Sequence, residues 1–288
     1  MQATTRRDFL ATTALGAAGL AFGAATANAA VPMRIGMCDW SMGMRGDLGA
    51  FERAHLSGLD GIEASLNTEE DLTFLRNPEL QARYKAEAYK WGIDIPSIAI
   101  GQLNRIPLKS EPIATLWLTD AIEVARNLGA RNILMAFFGN GELFPDKKDE
   151  MERVTTLLKD LAPRAEDAGV VLGLENTISA RDNMRIIDAV KSPALQVYYD
   201  MYNSSGNGFD EAEEIRFLGK EQICQIHFKN GNEYMDNDDT VDWPGVAKSL
   251  KAIRYEGWYI LETRSPSKDV IADIKKNADI LRKRFPMA

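Results

Sequence analysis

Residues 169–177 have the sequence GVVLGLENT, in which a short apolar run ends at an acidic side chain, Glu175. Two later segments share this form, residues 195–203 (LQVYYDMYN) and 258–264 (WYILETR), and a third, residues 223–230 (ICQIHFKN), has a histidine in place of the acidic residue. Short, continuous apolar runs are typical of strands that are buried on both faces of a parallel sheet. The second half of the chain therefore predicts four buried parallel strands.

The first half of the chain continues this pattern toward the N-terminus. Its four apolar runs are residues 33–40, 58–65, 94–101 and 131–138. Helical patterns between the runs include residues 112–128, 149–168, 243–254 and 268–283. Eight strand–helix units joined by short links predict a (β/α)8 TIM barrel in the α/β class. An open doubly wound sheet is the alternative, but no Gly-x-Gly-x-x-Gly follows the first run.

Two of these helices carry specific expectations. In residues 112–128 we expect an apolar stripe at close to helical spacing. Its members are Ile113, Leu116, Ile122, Ala125 and Leu128. In residues 149–168 we expect Pro163 to kink the helix.

Composition and charge narrow the possible functions. The 288 residues are 45% hydrophobic and 26% charged, which is typical of a globular protein. The net charge of −8 disfavours a nucleic-acid partner. The two cysteines, Cys38 and Cys224, fall on the first and seventh predicted strands. Two strand spacings of about 4.8 Å would hold them roughly 10 Å apart, so we expect two packed, unpaired thiols.

The first 29 residues have the features of an export signal. Arg6 and Arg7 precede an uncharged stretch, residues 10–25, and residues 27–29 (ANA) offer a small-x-small cleavage site. The arginine pair favours the twin-arginine route, with that export machinery as a partner and a periplasmic or secreted location. We expect residues 30–288 to form one domain with no membrane segment in the mature form. A membrane anchor is the alternative, but about 16 apolar residues are few for a span.

The four later runs each end near one side chain that can bind a metal. These side chains are Glu175, Asp200, His227 and Glu262. In a barrel, strand ends meet at the C-terminal face, where active sites lie. Inward-pointing side chains there would meet on the barrel axis. Three carboxylates and one imidazole suit a borderline-hard divalent ion, most simply Mn²⁺, with Mg²⁺, Co²⁺ or Zn²⁺ as alternatives. His55 lies within a helical pattern, and we expect a structural role for it.

Four short motifs occur in the order residues 174–176 (LEN), 227–229 (HFK), 241–246 (VDWPGV) and 255–262 (YEGWYILE). With these motifs in this order, the chain resembles the xylose isomerase-like barrels, the sugar isomerase and epimerase group. The resemblance covers roughly residues 33–284. Ketose 3-epimerases, hydroxypyruvate isomerase and myo-inositol catabolic enzymes belong to this group, in which dimers and tetramers are common. A homo-oligomer is therefore an expectation here.

The resemblance implies roles for the four strand-end residues. Glu175 and Glu262 would bind the metal and exchange protons with the substrate, and Asp200 and His227 would complete the metal sphere. The metal would polarise a sugar carbonyl and stabilise the enediolate that forms when the neighbouring proton leaves. Two glutamates on opposite faces of the carbon would give epimerisation, whereas one base acting across two carbons would give aldose–ketose isomerisation.

The expected substrate-binding side chains are less firmly marked. They are Lys229, Asn203, Glu63, Trp40 and Arg264. For Lys229 a solvated surface position is the alternative, and for Glu63 and Trp40 it is packing at the barrel rim. The chain departs from the ketose 3-epimerases at Asn203, where they have His, and at Lys229, where they have Arg. It also departs from many relatives at Thr177 and Asn230, so the metal set is kept while the sugar-contacting set differs.

These observations predict a metal-dependent isomerase or epimerase acting on an unphosphorylated sugar, because phosphosugars are mainly cytoplasmic. One alternative is a lyase that cleaves a 3-keto-glycoside after the same proton abstraction. Another is an exported sugar-binding or metal-binding protein without catalysis, although the full ligand set argues against it. A DNA-repair nuclease on the same barrel would need a histidine-rich zinc site and a basic groove. The chain has two histidines and a charge of −8.

Overall fold

The computed structural model describes residues 32–285, and the predicted export signal lies outside them. In this range eight parallel strands close into a barrel in sequence order. They are β1 (Arg34–Cys38), β2 (Gly61–Ser65), β3 (Asp94–Ile100), β4 (Asn132–Ala136), β5 (Val171–Glu175), β6 (Leu195–Asp200), β7 (Ile223–Lys229) and β8 (Trp258–Glu262). Pairing of β1 with β8 closes the ring. The prediction of a TIM barrel is confirmed, and each strand lies within its predicted segment.

Helices follow every strand and cover the outside of the barrel. They are α1 (Gly49–Leu56), α2 (Pro78–Trp91), α3 (Pro112–Leu128), α4 (Lys148–Ala168), α5 (Ala180–Val190), α6 (Met201–Gly206), α7 (Glu211–Leu218), α8 (Trp243–Ala252) and α9 (Val270–Arg284). Local sequence fixes several of their ends. The Asn77 side chain accepts from the backbone N–H of Glu79 and Pro78 starts α2, while Gly92 ends it in the left-handed region at φ 64°.

The stripe predicted for α3 differs from the buried one. Ile113 and Leu116 are 42% and 49% exposed. The residues that face the sheet are Ala114, Trp117, Leu118, Ala121, Ile122, Val124, Ala125 and Leu128. An Ala-rich face lets this helix lie close to the strands. The spacing of apolar residues alone did not show that Ala114 is buried while the larger Ile113 and Leu116 are exposed. Helix α4 runs without interruption from residue 148 to 168 and includes Pro163, where the kink stays a prediction.

The barrel interior is tightly packed beneath the strand ends. A Cβ atom on Gly173 of β5 would lie 2.9 Å from Cys224 Sγ and 3.0 Å from Tyr198 Cβ. A glycine is therefore needed there to leave room for Tyr198, which lies inside the barrel. Cys38 and Cys224 are both free, as expected. Among residues 32–285, no helix is long and apolar enough to cross a membrane.

Candidate active site

The four strand-end residues of the second half meet at the C-terminal end of the barrel. Glu175, Asp200 and Glu262 are the last residues of β5, β6 and β8, and His227 lies two residues before the end of β7. Donor atoms of all four lie within 4.8 Å of one another. Nδ1 of His227 is 2.8 Å from Glu175 Oε1 and 3.4 Å from Glu262 Oε2. The structure thus brings together the predicted ligand set.

Strand register explains this convergence. Asp200 pairs with His227 across β6 and β7, and Lys229 pairs with Glu262 across β7 and β8. Side chains alternate along a strand, so His227 and Lys229 point to the same side of the sheet. The same alternation places Gln225 one layer deeper, below His227.

Burial and mutual repulsion perturb the acidic residues. Burial raises the pKa of Glu175 to about 7, with the carboxylates of Glu262 and Asp200 adding to the rise and His227 opposing it. Burial also raises the pKa of Asp200. Burial acts in the same direction on Glu262, but the positive charges of His227 and Lys229 outweigh it and lower the pKa of that carboxyl. The two glutamates therefore differ in protonation near neutral pH.

The imidazole of His227 lies at the centre of this charge cluster. Its side chain has no exposure to solvent. Burial alone would lower its pKa, but Cys38, Glu175 and Glu63 around it raise the pKa well above its ordinary value. The two ring nitrogens thus face carboxylates on opposite sides, Glu63 at Nε2 and Glu175 at Nδ1.

Lys229 reaches the same cluster from above. Its Nζ atom is 2.7 Å from Glu262 Oε2 and 3.3 Å from Asp200 Oδ2. Burial works against its charge, but these two carboxylates raise the pKa of Lys229 overall, and the side chain stays an ammonium. It is not a solvated surface lysine, since it is 27% exposed and lines the cavity described next.

A cavity of about 390 Å³ opens above the cluster, a volume that suits a small ligand. Polar groups from Glu175, Glu262, Lys229 and Asn203 lie in its wall. The apolar part of the wall comes mainly from the first half of the barrel: Trp40, Ala99, Leu134, Ala136 and Phe138. A larger cavity, about 980 Å³, lies at the opposite end among the strand starts, away from the ligand cluster.

Three of the predicted substrate contacts have distinct surroundings. Trp40 lines the cavity, and its indole N–H donates to Glu262 Oε1 at 3.1 Å. Asn203 also lines it, and its backbone N–H donates to Asp200 Oδ1 at 3.0 Å. Arg264 is exposed and donates to Asn232 Oδ1 at 2.9 Å, so the structure holds its guanidinium against a loop rather than in the cavity wall.

The prediction that Glu63 contacts substrate is corrected by the structure. Glu63 is the third residue of β2 rather than its end, and its side chain is completely buried. It lies below His227, with Oε1 3.0 Å from Nε2 of the ring. Because His227 and the barrel interior enclose it, Glu63 does not line the cavity and acts on the site only through the histidine.

A layer of buried polar residues around Glu63 was missed in the sequence. Tyr198 and Ser97 donate to Glu63 Oε2 at 2.7 and 2.6 Å. The amide of Gln225 donates to both of those hydroxyls, at 2.8 and 2.7 Å. One sequence signal was available, because Tyr198 and Gln225 each precede a predicted ligand by two residues and so share its side of the strand.

Cys38 is also part of this layer, although we predicted only a packed thiol. Its Sγ atom is 3.4 Å from His227 Nε2 and 3.6 Å from Glu63 Oε1. Cys38, Glu63 and His227 form a second group of closely spaced metal-ligand side chains. His55, by contrast, lies on α1, where Nδ1 is 2.9 Å from the carbonyl oxygen of Trp91, which agrees with a structural role.

Comparison with protein families agrees with this geometry. Residues 51–284 match the family model described as a xylose isomerase-like TIM barrel, which spans most of the chain. The chain belongs to this family.

Among curated members of known activity, the chain is similar to the 2-epi-5-epi-valiolone 7-phosphate 2-epimerase of Actinoplanes sp. The two are 26% identical over 231 residues, covering 77% of this chain and 82% of the relative. It is also similar to the D-psicose 3-epimerase of Enterocloster bolteae, at 23% identity over 41% of each chain.

Among solved structures, an L-ribulose 3-epimerase superposes with a TM-score of 0.73 at 20% identity, over 88% of this chain and 95% of that one. The 3-keto-D-glucoside 4-epimerase of E. coli superposes with a TM-score of 0.69 at 17% identity, over 88% of this chain and all of that one. At these identities the likeness shows the shared fold.

The donor set of this xylose isomerase-like barrel fits a divalent cation. Three carboxylates and an imidazole are ligands that Mn²⁺, Mg²⁺, Co²⁺ and Zn²⁺ accept. Ligands on opposite sides of such an ion are separated by roughly 4–5 Å, about twice a metal–ligand bond. The donors here lie within 4.8 Å of one another. A bound cation would also offset the repulsion that raises the pKa values of Glu175 and Asp200.

Proposed function

We propose that the protein is a divalent-metal-dependent isomerase or epimerase that removes the proton beside the carbonyl of an unphosphorylated sugar. The epimerase relatives and structural neighbours support an isomerase. The observation that carries the proposal is the placement of Glu175 and Glu262. Both belong to the cluster of potential metal ligands, and both line one cavity of about 390 Å³.

Glu175, Asp200, His227 and Glu262 would hold the metal, with Mn²⁺ as the first choice. When bound, a divalent ion supplies polarisation of a carbonyl and stabilisation of negative charge on its oxygen. The chain's own residues must then move the proton and orient the sugar.

The two glutamates are suited to opposite halves of a proton transfer. In the metal-free protein the pKa of Glu262 is lowered and burial raises the pKa of Glu175 to about 7, so the two carboxyls have unlike surroundings. We assign Glu262 as the base that removes the proton and Glu175 as the group that returns it. Groups whose surroundings drive their pKa values apart form natural acid–base pairs. In the reverse direction the two residues exchange these roles.

The remaining cavity residues orient the sugar. Trp40 fixes Glu262 through the hydrogen bond from its indole N–H. The ammonium of Lys229 lies beside Glu262 and Asp200, where it can donate to a substrate oxygen and stabilise developing negative charge. Leu134, Ala136 and Phe138 form part of the apolar wall against which the sugar would pack.

Deuterium incorporation tests the proposal directly. Protein loaded with Mn²⁺ is incubated in D₂O with free ketoses and aldoses, each paired with its phosphate, and the products are followed by NMR. We expect deuterium beside the carbonyl and a new isomer from an unphosphorylated sugar. Exchange confined to the phosphates would overturn the substrate class, and no exchange with any sugar or metal would overturn the isomerase.

A second candidate is a lyase acting on a 3-keto-glycoside, for which the first proton transfer would be the same. A structural neighbour that is a 3-keto-D-glucoside 4-epimerase favours including such compounds. Incubation with an aryl 3-keto-glucoside distinguishes the two functions. Release of the aryl alcohol would identify the lyase, while deuterium exchange with the glycoside intact would identify an epimerase.

We also propose that residues 1–29 direct export by the twin-arginine route, which supports the choice of an unphosphorylated substrate. Arg6 and Arg7 before the apolar stretch are the basis for this proposal. Fusion of residues 1–35 to a reporter that is active only after folded export tests it. Replacement of Arg6 and Arg7 by lysine should abolish the signal, and unchanged export of that variant would argue for another route.

A further inference from the structure

Glu63 accepts hydrogen bonds from every side of its buried carboxylate. Ser97 and Tyr198 donate to Oε2. The direction of these two hydrogen bonds follows from the bonds that Asn132 and Gln225 make. Nδ2 of Asn132 donates to Gln225 Oε1 at 2.7 Å, which leaves the amide N–H groups of Gln225 to donate to the two hydroxyls. Each hydroxyl therefore has its oxygen engaged as an acceptor, and its hydrogen points to Glu63.

This directionality determines which nitrogen of His227 carries a proton. Oε1 of Glu63 can only accept, so the ring nitrogen 3.0 Å away, Nε2, must donate to it. Nδ1 is the nitrogen that faces Glu175 and Glu262. A neutral imidazole has one protonated nitrogen and one lone pair, and a metal binds the lone pair.

We propose that Glu63 is a positioning residue that keeps the proton on Nε2 of His227, so that the Nδ1 lone pair is available to the metal. This inference rests on the proposed metal site. The polar layer of Asn132, Gln225, Ser97 and Tyr198 holds Glu63 in the required orientation. Ring contact adds to the constraint, since the Tyr198 ring meets the imidazole at a centroid distance of 4.6 Å.

The substitution Glu63→Gln gives a sharp test because it barely changes volume. The hydroxyls of Ser97 and Tyr198 need an acceptor, so the new amide turns its oxygen toward them and its NH₂ toward His227. Nε2 then becomes an acceptor, and the proton moves to Nδ1, where it blocks the metal.

We expect E63Q to bind Mn²⁺ between about 10-fold and 100-fold more weakly than the wild type, the range typical of such outer partners. The affinity is measured from the EPR signal of free Mn²⁺ during titration. D39N is the matched control. Asp39 is a buried carboxylate that accepts from the hydroxyl and N–H of Ser65 but does not contact His227. We expect D39N to bind Mn²⁺ within about twofold of the wild type.

A second measurement observes the proton on the unchanged protein. The chain has two histidines, so ¹⁵N-histidine labelling gives a simple spectrum, and a variant of the exposed His55, H55Q, assigns it. In the Zn²⁺-loaded wild type we expect His227 to carry its proton on Nε2, with Nδ1 shifted by the metal. A proton on Nδ1 would overturn the inference even if E63Q failed to fold.

The outcomes separate this inference from the proposed function. Wild-type protein that binds no Mn²⁺ would overturn the metal site and this inference with it. Wild-type binding matched by E63Q would overturn only the role of Glu63. A second ion bound between Cys38 and Glu63 would also overturn it, because Nε2 would then be a metal ligand instead of a hydrogen-bond donor.

Discussion

The two halves of the barrel contribute different chemistry to one cavity. Strands β5 to β8 each supply one potential metal ligand, and β7 adds Lys229. Strands β1 to β4 and the loops after them supply the apolar part of the wall, through residues such as Trp40 and Leu134, and also polar loop side chains such as Arg105. They supply the buried support of the histidine through Glu63. The potential metal ligands at the cavity are therefore concentrated in one half of the barrel, and the residues that support them come partly from the other.

Loss of a proton-transfer group in the second half should have the largest effect. We expect Glu175→Gln to lower the rate of deuterium exchange by at least about 10³-fold, because an amide cannot carry the proton. NMR exchange in D₂O with saturating Mn²⁺ measures this rate. A variant that retained a tenth of the wild-type rate would exclude Glu175 from the proton transfer.

Metal binding should also depend on the second half of the barrel. We expect Asp200→Asn to weaken Mn²⁺ binding at least tenfold, since an amide oxygen is a poorer ligand for a divalent ion than a carboxylate. The side chain also caps α6 through the N–H of Asn203, and the amide oxygen of Asn can keep that bond. Titration with Mn²⁺ at constant pH measures the change, and unaltered affinity would exclude Asp200 from the ligand set.

Substitution of Lys229 should change substrate turnover and metal binding in opposite directions. Its ammonium lies beside two proposed ligands, so Lys229→Met removes a positive charge that competes with the metal. We expect Mn²⁺ affinity to rise a few-fold while kcat/KM falls by about 10-fold to 100-fold. Steady-state kinetics and metal titration on one preparation provide both values. A fall in both would identify Lys229 as a structural support for the carboxylates.

Trp40 tests the supporting half. Trp40→Phe keeps the aromatic wall but removes the indole N–H that donates to Glu262. A hydrogen bond to a charged group contributes about 1.5–3 kcal/mol when buried, and less at this half-exposed position. We expect kcat/KM to fall about tenfold or less, with Mn²⁺ affinity unchanged. A loss as large as that of Glu175→Gln would show that the first half takes part in the chemistry.

Asp39, which directly follows β1, should affect the stability of the protein and not the reaction. Burial raises its pKa to about 6, although Ser65 and Gly46 donate to it. A folded-state pKa above the unfolded value means that the stabilisation is present at pH 4 and is lost as the pH rises through 6. A pKa shift of one unit corresponds to about 1.4 kcal/mol. The free energy of unfolding of the wild type should therefore fall by on the order of 3 kcal/mol relative to that of Asp39→Asn across this range.

Chemical denaturation of wild type and D39N at pH 4 and pH 7.5 measures that difference. Exchange rates at pH 7.5 should agree within about twofold. A stability difference that is independent of pH would show that Asp39 does not titrate in this range.

Nearly all of the candidate site residues in the second half of the barrel could be predicted from the sequence, and far fewer of those in the first half. Glu175, Asp200, His227 and Glu262 could be predicted because each follows an apolar run, and parallel strands bring their ends together. Glu63 was also predicted as a site residue, but its position deep in the barrel, below His227, was not predicted. A residue in the middle of β2 lies one layer below the strand ends, and the relative height of β2 and β7 depends on the tilt of the barrel.

The supporting layer was harder to predict for a physical reason. Its hydrogen bonds join residues that are far apart in sequence, such as Tyr198 and Glu63 at a separation of 135. No local pattern encodes which buried hydroxyl meets which carboxylate across a barrel. Arg264 illustrates the same limit in loops, since it follows a strand end but bonds to Asn232 instead of entering the cavity.

Closure of the ring by β1 and β8 has a consequence for the timing of site assembly during synthesis. Trp40 meets Glu262 across a separation of 222 residues, and Glu63 meets His227 across 164. Such contacts form late, because long loops must close before they give any stabilisation. A chain still emerging from the ribosome has no complete donor set to offer, so an ion retained by this protein would report that the last strand has been synthesised and docked.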